Sequence, residues 1–231
     1  MNIIRSLKEQ LSYLYRTKYP ARVMVKDAMH AGFTDVNDYI EDGQDQLAKN
    51  AMQKLFSYNF MHLGRGRVLE IGAGTGRFTR ELQKHLTGQV KIISIERSSD
   101  YCHFLRTYVV KNHWSNVSVV EGDCFHTKFT GQSFNLILVP WFIQPLSLFK
   151  YGELFAEARR LLKKGGLLIF DFMDSQEKLL QVIDEPSNNP YFLINGKDLE
   201  RVGKHLGFTK KLEFSEKFKK QIAKYHVYEK R

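Results

Sequence analysis

Five short apolar runs follow one another after His62, and each is separated from the next by an amphipathic stretch. Apolar runs of this length are typical of strands that are buried on both faces of a parallel sheet. The intervening stretches carry apolar residues at the helical period, as at Tyr101, Leu105 and Tyr108, so each helix would bury one face on the sheet. The alternation predicts a doubly wound α/β fold with helices on both faces of the sheet. The expected strands are residues 67–71, 90–95, 117–120, 134–139 and 167–172.

The beginning of the chain has a different character. Apolar residues recur there at helical spacing, as at Leu7, Leu11 and Leu14, and this pattern predicts helices rather than strands. We therefore expect two units, which are a helical N-terminal segment over residues 1–62 and the sheet domain over residues 63–231.

Cysteine, histidine and hydropathy patterns exclude several classes of protein. Cys102 and Cys124 form no C-x-x-C pair, and none of the eight histidines stands at ligand spacing from another, so we expect no metal site. Two isolated cysteines also favour a reducing compartment, which predicts a cytoplasmic protein. No stretch approaches the roughly eighteen consecutive apolar residues that a membrane span needs.

The formal net charge of +10 is concentrated at the two ends of the chain. Residues 1–26 hold six Lys and Arg against Glu9 alone, and residues 200–231 hold ten against four Glu. Basic stretches of this kind keep a protein soluble as solvated faces, or they bind RNA. Both interpretations stay open on the charge alone.

The segment between the first expected strand and the next helix is rich in glycine. Gly72, Gly74 and Gly76 alternate with other residues, and Glu70 precedes them. Glycine places no Cβ between the backbone and a ligand, so the N–H groups of such a loop can approach a bound molecule closely. A dinucleotide site would need glycine where Arg77 stands, and a P-loop would need a Gly-Lys-Ser/Thr ending that is absent. The loop is expected to bind a different ligand.

The pattern Glu70-x-Gly72-x-Gly74-x-Gly76 resembles the first motif of the class I, Rossmann-like methyltransferases, which use S-adenosyl-L-methionine (SAM). Further along, residues 158–166 resemble the helix and turn before the fifth strand in the small-molecule enzymes of this family, and residues 199–208 resemble their late helix and turn. The resemblance implies a seven-stranded, mostly parallel sheet, a transferase activity and SAM as the cofactor.

The resemblance also implies a donor site. Glu96 ends a run like the second strand of the family and would accept hydrogen bonds from the ribose hydroxyls. Asp123 would accept the adenine amino group, with the N–H of Cys124 meeting the ring. The expected SAM-binding residues are Glu70, Gly72, Ala73, Gly74, Gly76, Glu96, Arg97, Asp123, Cys124 and Val139.

The methyl acceptor is less constrained. Family members that methylate exocyclic amines of bases carry an Asn/Asp/Ser-x-Pro-aromatic loop after the fourth strand, whereas this chain has Leu138-Val139-Pro140-Trp141. Leu138 cannot accept a hydrogen bond from an amine. We therefore predict transfer to an O, N, C or S atom of a small molecule, which Trp141 and Gln144 would contact. Methylation of an RNA base, with the basic termini as the RNA footprint, is the alternative, and a non-catalytic binding module with the methyltransferase fold is a third possibility.

Methyl transfer from a sulfonium depends on alignment of donor and acceptor more than on proton transfer. Trp141, His126 and Asp171 are nevertheless candidates for a catalytic role, the last two as general bases. The N-terminal segment, residues 1–62, would form a helical cover over the acceptor site that excludes water.

Overall fold

The computed structural model describes residues 44–61, 63–86, 88–141, 148–172, 174, 195–218 and 221–231. A seven-stranded sheet runs through this part of the chain in the order β3-β2-β1-β4-β5-β7-β6. Strands β1 to β5 are parallel, and β7 lies antiparallel between β5 and β6. The strands are β1 (Gly66–Ile71), β2 (Val90–Glu96), β3 (Val117–Glu121), β4 (Phe134–Val139), β5 (Leu162–Phe172), β6 (Phe208–Phe218) and β7 (Gln221–Lys230).

Five α-helices and one 3₁₀ turn (Asn59–Met61) accompany the sheet in the described residues. The Ser98 hydroxyl accepts the N–H of Tyr101 at the start of α3, and the Asn195 side chain accepts the N–H of Lys197 at the start of α5. Such caps satisfy N–H groups that have no partner inside the helix. The helices are α1 (Gln44–Phe56), α2 (Arg77–His85), α3 (Ser99–Lys111), α4 (Leu148–Leu161) and α5 (Gly196–His205).

The two faces of the sheet are covered by different helices. Successive strand side chains point to opposite faces, so Leu136 and Leu138 pack with α1 and α2, whereas Ile137 and Val139 pack with α4 and α5. All four side chains are at most 1% exposed. Burying a side chain of this size stabilises a fold by about 1.5–3 kcal/mol, so β4, in which Asn135 is the one polar residue, contributes strongly to both halves of the core.

Helix α1 is part of this core. Ala48, Ala51, Met52 and Leu55 are fully buried, and the helix packs on α2 and β6. Lys54 in α1 forms an ion pair with Glu216 in β6 at 3.4 Å and lies 5.0 Å from the ring of Phe214. The rest of the expected cover, residues 1–43, lies outside the described residues, so the cover stays a prediction.

The doubly wound, seven-stranded and mostly parallel architecture is confirmed. The fifth strand begins five residues earlier than expected, because Leu162 already pairs with Phe134 before an irregularity in the register. Gly165 has a φ of +72° in this irregular stretch. The expected late helix begins at Gly196, and its turn falls at Gly207, where φ is +77°.

The described part of the chain contains neither a membrane-spanning helix nor a metal-ligating cluster of side chains. None of its helices has the length and apolar character to cross a membrane. In the same residues, no group of three or more His, Cys, Asp or Glu side chains is arranged to hold a metal ion.

Candidate active site at the carboxyl ends of the strands

The glycine loop leaves β1 and closes onto α2 through backbone hydrogen bonds. The N–H of Gly72 donates to the carbonyl of Ile95 at 2.9 Å, and the N–H of Gly76 donates to the carbonyl of Ala73 at 2.8 Å. All three glycines have positive φ, at 71°, 53° and 86°, which other L-residues rarely adopt. The three glycines therefore allow a loop conformation that most other sequences cannot adopt.

Two of these glycines differ in what lies beside them. A Cβ on Gly76 would collide with the side chain of Leu105, so this glycine is required by packing against α3. A Cβ on Gly74 would meet no atom within 4 Å. The backbone at Gly74 consequently borders open space, as a loop that approaches a ligand should.

The carboxylate of Glu96, at the end of β2, organises this edge. Its Oε2 accepts the N–H of Gly74 at 2.9 Å, and its Oε1 accepts the N–H groups of Arg97 and Ser98 at 2.7 and 2.8 Å. A carboxylate oxygen takes about two donors, so Oε2 keeps capacity for one more. A hydroxyl donor of a ligand fits that capacity, and this is the chemistry expected of a ribose contact.

The loop after β3 lies next to Glu96. The N–H of Gly122 donates to the backbone carbonyl of Glu96 at 2.9 Å. The Asp123 carboxylate accepts the N–H of Phe125 at 3.0 Å and is half exposed, so it can also meet a ligand. Burial, and then the charge of Asp123, raise the pKa of the Cys124 thiol, which therefore stays protonated and is no nucleophile at neutral pH.

Glu70 lies under the loop rather than on its open side. Its side chain is fully buried, and its Oε2 accepts the hydroxyls of Thr79 in α2 and Ser94 in β2 at 2.5 and 2.7 Å. Its Oε1 has no hydrogen-bond partner among the described residues. Burial raises the pKa of this carboxyl to about 7, although the two hydroxyls lower it in part. Glu70 thus ties β1, β2 and α2 together beneath the glycine loop.

Trp141 follows β4 and stands at the same edge of the sheet. Its backbone is in the left-handed region with φ +50°, and its side chain is half-buried. The indole packs edge-on against Phe78 at 5.7 Å between centroids, and the Arg77 guanidinium lies 5.9 Å from the indole centre. Trp141 is therefore adjacent to the start of α2 and to the glycine loop. Gln144, the other expected acceptor contact, lies outside the described residues.

Asp171 supports this segment from β5. Its side chain is fully buried, and its Oδ1 accepts the backbone N–H of Trp141 at 2.5 Å. Burial raises the pKa of the hydroxyls of Tyr151 and Tyr225, and the Asp171 charge adds to both shifts. The two tyrosines therefore stay protonated around a buried carboxylate.

The expected site residues fall into groups at the carboxyl ends of five neighbouring strands. Gly72, Ala73, Gly74 and Gly76 follow β1, Glu96 ends β2, and Arg97 follows it. Asp123, Cys124 and the exposed His126 follow β3, with the His126 Nδ1 lying 3.7 Å from the Asp123 carboxylate. Ligands of open α/β sheets bind at this edge, where the strand order reverses between β1 and β4. Val139 is fully buried in the core, so only its backbone could reach a ligand.

Three parts of the site were not expected from the sequence. These are the hydroxyls of Thr79 and Ser94 on Glu70 and the placement of Arg77 under Trp141. A polar Ser94 between Ile93 and Ile95 was the available signal for the first two, because buried polar groups need partners. Nothing local in the sequence pairs Arg77 with Trp141.

Comparisons with known proteins agree with this geometry. Residues 68–166 match the family described as a methyltransferase domain. The uncharacterized protein MJ1123 of Methanocaldococcus jannaschii is 26% identical over 168 residues, which make up 71% of this chain and 74% of that protein. The PH0226 protein of Pyrococcus horikoshii superposes with a TM-score of 0.69 and 22% identity, covering 83% of this chain and 93% of that one. Magnesium protoporphyrin IX methyltransferase of Synechocystis, solved with bound SAH, has a TM-score of 0.71 and 12% identity, covering 95% and 99%.

The seven-stranded sheet has the fold of the class I, Rossmann-like methyltransferases, and residues 68–166 match a methyltransferase domain. S-adenosyl-L-methionine, the cofactor expected from the glycine loop, agrees with the methyltransferase match.

Proposed function

We propose that this methyltransferase transfers the methyl group of SAM to a small-molecule acceptor. The observation that carries the proposal is the position of Leu138. It stands where enzymes that methylate exocyclic amines have a polar residue, and its side chain is 1% exposed and packed with α1 and α2. The position therefore presents no side-chain acceptor to the amine of a base.

We propose that the SAM-binding site lies along the carboxyl ends of the strands. Glu96 Oε2 would accept a ribose hydroxyl, Asp123 would accept the adenine amino group, and the open side of Gly74 would accommodate the methionine part of SAM. Glu70, Ala73, Gly72, Gly76, Arg97, Cys124 and Val139 would shape or support this site through backbone and packing. When bound, SAM supplies a methyl group on a positively charged sulfur, which leaves readily to a nucleophile.

On the acceptor side, Trp141 would contribute a flat apolar surface beside the donor. Its indole borders Phe78 and the Arg77 guanidinium, and we propose Gln144 as a further contact. Holding donor and acceptor in line is the main task of such a site. His126 is largely exposed on the adenine side, and Asp171 is fully buried, so neither position favours a general base.

Charge pairing at the C-terminal end also supports a small acceptor over RNA. Lys210 contacts Glu200 and Glu213 at 2.7 and 3.0 Å, and Lys211 contacts Glu229 at 2.7 Å. Lys224 contacts Asp174 at 2.9 Å. Phosphate binding would have to compete with these pairs, which weakens an RNA footprint on this surface.

We also propose that the protein is cytoplasmic. Cys102 and Cys124 are both buried and unpaired as a disulfide. Free thiols are typical of proteins in a reducing compartment.

The function is tested by incubating the enzyme with methyl-labelled SAM and a whole-cell extract, and by then separating RNA, protein and small molecules. We expect label in the small-molecule fraction. Label in RNA would favour the alternative, and the absence of any label despite SAM binding would favour a non-catalytic module. Gly74→Arg serves as the negative control, because it is expected to block the donor site.

A further inference from the structure

The backbone of Trp141 adopts a conformation that its side chain does not favour. A φ of +50° in a bulky residue that is not glycine is uncommon and costs free energy. Such a residue keeps this geometry only when its surroundings hold it, and these positions cluster at functional sites. The strained Trp141 backbone therefore needs a contact that holds it.

Asp171 supplies that contact. Its neighbour Phe170 pairs with Val139 across β4 and β5, so Asp171 stands beside the chain as it leaves β4. Its Oδ1 accepts the Trp141 N–H at the short distance of 2.5 Å, and a hydrogen bond to a charged acceptor is roughly twice as strong as a neutral one. The carboxylate is fully buried, so water offers the Trp141 N–H no comparable replacement.

The held segment shapes the wall of the proposed acceptor site. With the Trp141 backbone fixed, the indole rests edge-on against Phe78 beside Arg77, at the start of the helix that follows the glycine loop. If the Trp141 backbone adopted a common conformation with negative φ, its N–H would no longer point to Asp171. The indole would then lose its contact with Phe78.

We propose that Asp171 is a positioning residue for methyl transfer, which holds Trp141 in its left-handed conformation and thereby sets the acceptor site. The proposal rests on the proposed function, in which Trp141 contacts the acceptor. It differs from a role as general base, since the carboxylate acts through the Trp141 backbone and exchanges no proton with the acceptor.

Two variants separate these roles. Asp171→Asn keeps an oxygen that can accept the Trp141 N–H but cannot serve as a base, whereas Asp171→Leu keeps the volume and loses the acceptor. Both are made in a Trp114→Phe background, so that Trp141 is the only tryptophan and its fluorescence reports the position of its ring. Affinity for SAM is measured by calorimetry, and transfer is measured on the acceptor fraction found by the labelling experiment.

The Asn variant is expected to keep the fluorescence and the transfer of the parent. The Leu variant should shift the Trp141 emission to longer wavelength and raise the acceptor KM by about tenfold or more, since misplaced contacts of this kind cost up to about a hundredfold. Its affinity for SAM should not change. Unchanged emission and KM in the Leu variant would overturn the proposal.

Loss of transfer in the Asn variant with unchanged Trp141 emission would also overturn it, because removing a general base costs about 10²–10⁴-fold in rate. This comparison needs only the Asn variant, so the proposal stays falsifiable if the Leu variant does not fold. The fluorescence measurement needs no acceptor. A failure of the proposed function would therefore leave the Asp171–Trp141 contact testable by itself.

Discussion

Glu96 and Gly74 are joined by a hydrogen bond in which the carboxylate Oε2 accepts the glycine N–H at 2.9 Å. The end of β2 therefore holds the middle of the glycine loop that follows β1. The bond fixes the loop at the point where a Cβ would meet no protein atom, so the open space beside Gly74 is bordered by a charged acceptor.

Gly74→Arg is expected to abolish SAM binding, because the long side chain would enter the space proposed for the methionine part of the donor. We expect calorimetry to find affinity reduced by about a hundredfold or more, which corresponds to about 2.7 kcal/mol. Gly165→Arg is a matched control, since Gly165 also has positive φ and open space around it but lies where β5 begins, away from the strand ends that form the site. Equal affinities in the two variants would remove Gly74 from the donor site.

Glu96→Ala is expected to weaken SAM binding through loss of the charge-assisted hydrogen bond from the ribose hydroxyl to Oε2, which contributes about 1.5–3 kcal/mol. The loop would also lose its anchor at Gly74. The matched control is Glu121→Ala, because Glu121 pairs in register with Glu96 but is exposed. A dissociation constant for the Glu96 variant as low as that of the Glu121 variant would contradict the assignment.

The buried Glu70 predicts a pH dependence of stability. Its pKa is about 7 in the folded protein against an ordinary value of 4.5, so the folded state retains a proton that the unfolded chain releases. Its contribution is therefore most favourable below pH 4.5 and is lost as the pH rises through 7, by roughly 3 kcal/mol. Glu70→Gln should remove this loss. Urea unfolding of both proteins from pH 4.5 to 8, with the exposed Glu121→Gln as control, would refute the prediction if the difference between them stayed constant.

The two leading acceptor classes predict opposite responses to charge reversal. Lys217 is exposed near the end of β6, whereas Lys219 and Lys220 lie outside the described residues. We expect the triple Lys→Glu variant to retain transfer with little dependence on salt, whereas Trp141→Ala should impair it by removing a wall of the acceptor site. The measurement is methyl transfer by both variants across a salt series. Steep salt dependence and loss of transfer in the lysine variant, with transfer kept by Trp141→Ala, would favour RNA.

The sequence predicted the features that depend on local patterns. The central strands are largely apolar runs, and the glycine loop is a short motif whose geometry follows from missing side chains. Strands β6 and β7 were harder to predict from the sequence. They form a partly exposed hairpin in which lysines and glutamates alternate with apolar residues such as Leu212 and Phe214. The contacts of Glu70 and Asp171 could not be read from the sequence, since each joins residues from different elements of the fold and depends on how those elements pack.

The packing of α1 on β6 has a consequence for how the chain is made. The Lys54 ammonium donates to the carbonyl of Ser215 at 3.5 Å, although 161 positions separate the two residues. During synthesis α1 emerges long before the hairpin that completes its pocket, and contacts so distant in the chain form slowly. The apolar face of α1, which includes Met52 and Leu55, therefore stays only partly covered until β6 has left the ribosome. A nascent chain stopped before β6 would display that apolar surface, which favours aggregation or binding by a chaperone.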